Sequence, residues 1–123
     1  MGLTRVNITI VNPSDQTRLS NVELIVDTGS VLTWVRRSHL DEIGAKPQRT
    51  KEFRTIEGGL IRRPTGPLLV RYDGTESDIE VVFAEDGDGE VLGVTALESL
   101  GYQVDPVTNE LHRSSLLALF GYH

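Results

Sequence analysis

Short apolar segments that alternate with turn residues recur along this chain and predict a mainly β fold. Val6–Val11 and Val22–Val26 are rich in β-branched residues, which favour strands. Leu68–Tyr72 and Ile79–Phe83 flank the pair Asp73-Gly74, which is typical of a tight hairpin turn. Because the chain has 123 residues, we expect residues 1–123 to form a single domain around one core.

Two short helices are expected among the strands. Ser38 and Asp41 have the spacing of a capping box, and Gly44 would end the helix that they begin. Thr95–Glu98 is a second capping box, and Gly101 would end that helix soon afterwards. The predicted fold is therefore mainly β with one or two short helices.

A long hairpin is expected over residues 50–72. Its tip would be Glu57-Gly58-Gly59-Leu60, because adjacent glycines accept positive φ without a steric penalty. After the polar loop Glu85–Gly89, the apolar run Val91-Leu92-Gly93 is predicted to be buried.

Composition and charge argue against several classes of protein. The net charge is −6 and the basic residues are scattered, with Arg36-Arg37 and Arg62-Arg63 as isolated pairs, so a nucleic-acid partner is not expected. The absence of cysteine excludes disulfides, zinc–thiolate sites and cysteine nucleophiles. No stretch approaches the roughly 18–20 apolar residues that span a bilayer, and the first residues have no apolar signal core. We therefore expect a cytoplasmic protein without a membrane partner.

Asp27 occupies a position where a carboxylate is unusual. It directly follows the apolar segment Val22–Val26, so we expect partial desolvation, which makes ionisation costly. Gly29 allows close backbone approach, while Thr28 and Ser30 bring hydroxyls that can donate to a carboxylate. Asp27 is therefore a candidate catalytic acid. The alternative is an ordinary strand-ending turn, in which Asp, Gly and Ser are common.

Two facing carboxylates have a chemistry that one carboxylate lacks. They share one proton, because their like charges prevent both from ionising. The ionised carboxylate takes a proton from water, and the protonated one polarises a scissile carbonyl. The chain has only one strand-end aspartate of this kind, so the second would come from another copy across a two-fold axis.

Val26-Asp27-Thr28-Gly29-Ser30 resembles the active-site motif of the aspartic proteases related to pepsins and retroviral proteases. Val91-Leu92-Gly93 resembles the second element of that family, two apolar residues and a glycine before a short helix. Thr95–Gly101 and Val104–Asn109 are similar to the end of the single-domain bacterial aspartyl proteases of the retroviral type. The order and spacing match over residues 4–112, so the chain resembles this retropepsin-like family over nearly its whole length.

The resemblance implies a closed retropepsin-like acid-protease β-barrel, an obligate homodimer, and hydrolysis of peptide bonds without a metal or cofactor. Asp27 would be the catalytic acid, and Thr28 would lock the two active-site loops across the dimer axis. Gly29 and Ser30 would support the carboxylate through hydrogen bonds, and Gly93 would lie beneath the active-site loop.

The same resemblance implies a role for the hairpin. Its tip, Glu57-Gly58-Gly59-Leu60, would be a flap that closes over the peptide or protein substrate and excludes water. Many bacterial relatives have Ala-Asp-Gly near the flap, where this chain has Ile56-Glu57-Gly58. Trp34 with Arg36-Arg37 also replaces the more usual apolar stretch ending in proline. Residues 113–123 match no part of the family pattern, in which the chain termini of retroviral members form the dimer sheet.

Structural roles are expected for other conspicuous residues. Asp86, Asp88 and Glu90 alternate with glycines but lack the fixed spacing of a calcium loop, so a solvated hairpin loop is expected. Trp34 is expected in the core or at a subunit interface rather than in contact with substrate. Arg62-Arg63 is expected to form a solvated face of the hairpin.

Two other functions are compatible with these residues. One is a non-catalytic interaction or dimerisation module with the same fold, suggested by Glu57 at the flap and by the stretch Trp34–Arg37. The other is a β-barrel ligand-binding protein in which Asp27 is only a turn residue. The first predicts a dimer without peptidase activity, and the second predicts a stable monomer.

Overall fold

The computed structural model describes residues 3–114, which form nine strands and two short helices. Within this range the predicted mainly β class is confirmed. Neither helix in residues 3–114 has the length and apolar character that crossing a bilayer requires. The tail of residues 113–123, which matches no part of the family pattern, lies outside the described residues from position 115 onward.

The elements follow one another with short connections. Helix α1 lies between β3 and β4, and helix α2 lies between β7 and β8. In chain order the elements are β1 (Arg5–Asn12), β2 (Asp15–Asp27), β3 (Thr33–Arg36), α1 (Arg37–Glu42), β4 (Arg49–Arg54), β5 (Leu60–Tyr72), β6 (Thr75–Ala84), β7 (Val91–Gly93), α2 (Val94–Ser99), β8 (Tyr102–Val104) and β9 (Leu111–Arg113).

Seven strands pair in the order β1-β2-β7-β3-β6-β5-β4, and β1 also pairs with β5. These pairings link β1, β2, β7, β3, β6 and β5 into a ring, to which β4 is added outside. Two of the pairs, β2 with β7 and β3 with β6, are parallel, and each brings together segments far apart in the chain. Strands β8 and β9 form a separate two-stranded sheet.

The predicted hairpin is present, with different bounds. Strands β4 and β5 pair from Arg49 opposite Thr65 to Arg54 opposite Leu60. Beyond Thr65, β5 continues as the partner of β6, so the segment Leu68–Tyr72 belongs to the same strand rather than to a separate one. The hairpin is thus a two-stranded extension of a strand that also belongs to the ring.

Both predicted helices form, but neither begins with a capping box. The residues that precede the first helical turns are Arg36 and Gly93, and neither makes a side-chain capping hydrogen bond. Ser38 and Thr95 lie inside the helices. The reason is that α1 continues directly from β3 and α2 directly from β7, so the preceding strand sets where each helix starts.

The turn between β5 and β6 is as predicted. Asp73 and Gly74 both have positive φ, 49° and 80°, which is the geometry of a two-residue hairpin turn that matches strand twist. Gly44 and Gly101 follow the helices with φ of 77° and 85°, so they end α1 and α2 as expected.

The hydrophobic core fixes the strands that lead to the candidate site. Leu24 of β2 and Leu92 of β7 are fully buried, and burying one such side chain stabilises the fold by roughly 1.5–3 kcal/mol. Both strands end shortly afterwards, at Asp27 and Gly93. The largest fully buried side chains are Phe83, Ile8, Ile10, Leu24, Leu40, Ile43, Leu68 and Leu92.

Candidate active site

The loop of residues 28–32 joins two strands that are not neighbours in the sheet. Strand β7 lies between β2 and β3, with Asp27 opposite Gly93 on one side and Trp34 opposite Val91 on the other. The chain therefore leaves β2 at Asp27, crosses the end of β7, and returns as β3.

Gly93 lies directly against this loop. A side chain at position 93 would collide with the backbone carbonyl of Leu32 and would come within 2.9 Å of the Ser30 carbonyl oxygen. The N–H of Val94 donates to that Ser30 oxygen at 2.7 Å, and the N–H of Gly93 donates to the Thr33 hydroxyl at 2.9 Å. The position predicted for Gly93, beneath the loop that carries Asp27, is where the structure places it.

The Asp27 carboxylate is held from within the loop. The N–H of Gly29 donates to its Oδ1 atom at 2.9 Å, and the N–H of Ser30 donates to the Asp27 backbone carbonyl at 3.1 Å. The Ser30 hydroxyl donates instead to the Leu32 carbonyl at 2.7 Å. Of the two residues expected to support the carboxylate, Gly29 therefore contacts it, and Ser30 stabilises the loop.

Asp27 is exposed in the single chain, contrary to the expected desolvation. The apolar strand β2 ends at this residue, so the side chain lies beyond the core rather than in it. Thr28 is exposed as well, and within residues 3–114 its hydroxyl has no hydrogen-bond partner. The lock expected of Thr28 therefore does not form within one chain.

The hairpin tip consists of residues 55–59. Thr55 and Gly59 are hydrogen bonded through the backbone at 2.8 Å, and the Gly58 N–H donates to the Thr55 carbonyl at 2.9 Å. Gly58 has a φ of 90°, which explains the need for glycine there. Glu57 lies in this tip, whereas Leu60, predicted as part of it, is the first residue of β5.

An open cleft of about 660 Å³ lies between the loop and the hairpin tip. Asp27 contributes to its lining together with residues 29–32, hairpin residues 53–57 and 61, and residues 87–89. Its volume is within the range of known ligand sites, roughly 300–1,000 Å³. Asp27 and Glu57 of the predicted flap therefore line one cleft, whereas Gly58, Gly59 and Leu60 do not contribute to its lining.

Trp34 also lines this cleft, together with Phe53 of the hairpin. Their ring centroids are 4.9 Å apart and the ring planes are inclined by 58°. The sequence predicts Trp34 in the core or at a subunit interface. On β3, however, Thr33 and Val35 are buried, so Trp34 points to the other face, where it joins the cleft wall.

An ion pair that the sequence does not predict joins the hairpin stem to Asp88, which lines the cleft. Arg63 donates from Nε and Nη2 to the two carboxylate oxygens of Asp88, at 2.7 and 3.0 Å. The two side chains are only 16% and 13% exposed, so the expected solvated positions of both are wrong. The hydrogen bonds from Arg63 hold the pKa of Asp88 below its ordinary value.

The neighbouring arginine behaves as predicted. Arg62 pairs with Glu52 at 3.0 Å, and both side chains remain more than half exposed, at 73% and 51%. The two arginines differ because adjacent residues of a strand point to opposite faces.

Within residues 3–114, no group of three or more His, Cys, Asp or Glu side chains is arranged to hold a metal ion. Comparison of the chain with protein-family models and with curated proteins finds no match.

Proposed function

We propose that this chain is one subunit of a homodimeric aspartic endopeptidase in which the Asp27 carboxylates of two copies share one proton. The observation that carries the proposal is the position of Asp27, at the cleft and held through the N–H of Gly29. The ring of paired strands supports the closed, retropepsin-like barrel that the motifs imply. We also propose a cytoplasmic location, with which the absence of cysteine is compatible.

The surroundings of Asp27 suit a shared proton. Within residues 3–114, no basic side chain forms a salt bridge with Asp27. A cation at that position would favour the ionised form of each carboxylate and would oppose proton sharing. The carboxylate is free to meet a second one.

Exposed apolar residues near the cleft supply a surface for the second copy. Val31 and Ile56, which both line the cleft, are 65% and 103% exposed, although their side chains are large and apolar. Grouped exposed apolar residues are typical of interaction sites. A second copy that covers this surface would bring its own Asp27 to the site and would give the Thr28 hydroxyl a partner.

The paired carboxylates would hydrolyse a peptide as follows. The ionised Asp27 takes a proton from water, whose oxygen bonds to the scissile carbonyl carbon, while the protonated Asp27 gives its proton to the carbonyl oxygen. The tetrahedral intermediate then collapses and the C–N bond breaks. The leaving nitrogen receives the proton that the first Asp27 took from water, and a hydroxyl of the intermediate gives its proton to the second Asp27, so the shared-proton pair is restored. The hairpin tip, with Ile56 and Glu57, closes over the peptide and excludes bulk water.

A diverse peptide pool incubated at about pH 4–7 tests the proposal, since a shared-proton pair works in this range. Wild type is compared with Asp27→Asn, which is nearly isosteric but cannot act as an acid or base. Asp41→Asn is the control, because Asp41 is an exposed aspartate on α1. We expect wild type and the control to cleave, and Asp27→Asn to lose at least about 100-fold in rate while remaining a folded dimer.

Either of two results would contradict the proposal. Equal cleavage by Asp27→Asn would remove Asp27 from the chemistry. No cleavage by wild type that is shown to be a folded dimer would favour the non-catalytic dimerisation module instead.

A further inference from the structure

The Arg63–Asp88 pair joins β5 to the connection after β6, beyond Thr65 and Val82, the last residues at which these two strands pair. Arg63 lies in the hairpin stem, opposite Lys51 of β4. Asp88 lies in the connection between β6 and β7, here called the 85–89 loop. Because Asp88 lines the cleft, the pair joins the hairpin stem to a wall of the cleft.

Asp88 also closes its own loop. Its Oδ2 atom accepts a hydrogen bond from the Glu85 N–H at 2.8 Å, and its own N–H donates to the Glu85 carbonyl at 3.0 Å. One carboxylate therefore fixes the shape of the loop and its distance from Arg63.

The other anchors hold only the two ends of this loop, since Ala84 before it pairs with Arg36 of β3. Glu90 accepts from the Arg36 N–H at 3.1 Å and pairs with its guanidinium at 3.4 Å, which secures only the side that leads into β7. Among residues 3–114, Arg63 supplies all of the hydrogen bonds that join residues 85–89 to the hairpin. The loop contains Gly87, with a φ of 93°, and Gly89, so its backbone has little intrinsic stiffness.

We propose that Arg63 is a positioning residue for substrate binding, which acts through Asp88 to hold the 85–89 loop as a fixed wall of the cleft. The inference rests on the proposed function and adds a determinant of substrate affinity to it. Arg63 itself is not a catalytic residue, since the groups that would react belong to Asp27 and water.

The proposal predicts a specific kinetic effect. A loop that is already fixed need not be ordered when the peptide binds. Loss of the Arg63–Asp88 pair therefore adds the free-energy cost of ordering the loop to peptide binding. We expect Arg63→Gln to raise KM by roughly 3- to 30-fold and to change kcat by less than about twofold. A pair that only stabilised the fold would lower the melting temperature and leave KM unchanged.

Arg62→Gln is a matched control, because it removes the same chemical group from the adjacent residue and breaks an exposed pair with Glu52. Arg63→Lys keeps the charge with fewer hydrogen bonds, and we expect an intermediate KM and safer folding.

The experiment measures kcat and KM with the best peptide from the pool, and amide hydrogen exchange across residues 85–89, for wild type and these variants. A raised KM and faster exchange in Arg63→Gln, but not in Arg62→Gln, support the proposal. A wild-type KM in Arg63→Gln, or equal effects of both glutamine variants, overturn it.

Failure of the proposed function is recognised separately. If wild type cleaves no peptide, the endopeptidase proposal fails and the kinetic part of this inference fails with it. Hydrogen exchange then still decides the structural part, because unchanged exchange in Arg63→Gln would show that Arg63 does not fix the loop.

Discussion

The N–H of Gly93 donates a 2.9 Å hydrogen bond to the hydroxyl oxygen of Thr33, sixty positions earlier in the chain. Thr33 is 1% exposed, and it begins the strand into which the Asp27 loop leads. This bond ties the end of β7 to the start of β3, so it holds both sides of the crossing at which Asp27 lies.

Thr33→Val should show the value of this hydrogen bond. The change is nearly isosteric, but it leaves the Gly93 N–H without its acceptor, which costs about 1–3 kcal/mol of unfolding free energy. We expect that loss in urea unfolding, together with reduced peptide cleavage. Thr33→Ser keeps the hydroxyl and is the control, with a loss of about 1 kcal/mol and retained cleavage. Equal cleavage by the valine and serine variants would contradict the role of this bond.

Gly93→Ala should disrupt the loop itself. The added methyl meets the Leu32 and Ser30 carbonyl groups, which are backbone atoms and cannot move aside cheaply. Overpacking of this kind costs roughly 1–3 kcal/mol or more, and cleavage should be lost with the loop geometry. Gly89→Ala is a control for stability, because its nearest neighbour would be Val91 Cγ1 at 3.9 Å. A Gly93→Ala protein as stable as Gly89→Ala would show that the loop can relax.

The Arg63–Asp88 pair should make stability depend on pH in acid. Hydrogen bonds from Arg63 place the folded-state pKa of Asp88 below its ordinary value of 3.8. The contribution of the pair is therefore fully present above that ordinary value and is lost as the pH falls through the folded-state pKa. We expect the difference in unfolding free energy between wild type and Asp88→Asn to be constant at about pH 5–7 and to shrink below about pH 4. A difference that does not change with pH would contradict this assignment.

A shared active site should respond to mixing of subunits. When wild type is mixed with an equal amount of Asp27→Asn, random pairing leaves about half of the activity of the same wild-type chain alone. Dilution below the dimer dissociation constant should also lower specific activity. Asp41→Asn, which leaves Asp27 intact, is the control for mixing. Activity that is unaffected by the Asp27→Asn chain would show that each subunit works alone.

The strands and turns could be predicted because their signals are local. Alternating apolar residues mark β1, and Asp73-Gly74 marks the turn after β5. The predicted capping boxes at Ser38 and Thr95 are wrong, because local spacing does not reveal that a strand runs directly into each helix.

The residues of the candidate site that could not be predicted from the sequence are those whose contacts lie far away in the chain. In the sequence Thr33 is an ordinary strand residue. Only its hydrogen bond with Gly93 shows that it ties the end of β7 to the start of β3. The sequence predicts solvated positions for Arg63 and Asp88, which are 25 positions apart. Their ion pair forms only because the fold places the hairpin stem next to the 85–89 loop. Period-two burial could have indicated that Thr33 points inward and Trp34 outward, but not what each would contact.

The position of β7 between β2 and β3 also has a consequence for synthesis. A ribosome that has just produced Asp27 must add 66 further residues before Gly93 exists to support the loop, which takes roughly 3–13 s at usual elongation rates. During that interval the nascent chain has its acidic residue without the strand that shapes its surroundings. The long-range pairing of β2 with β7 thus delays assembly of the candidate site until most of the chain has been made, and such pairings also slow folding.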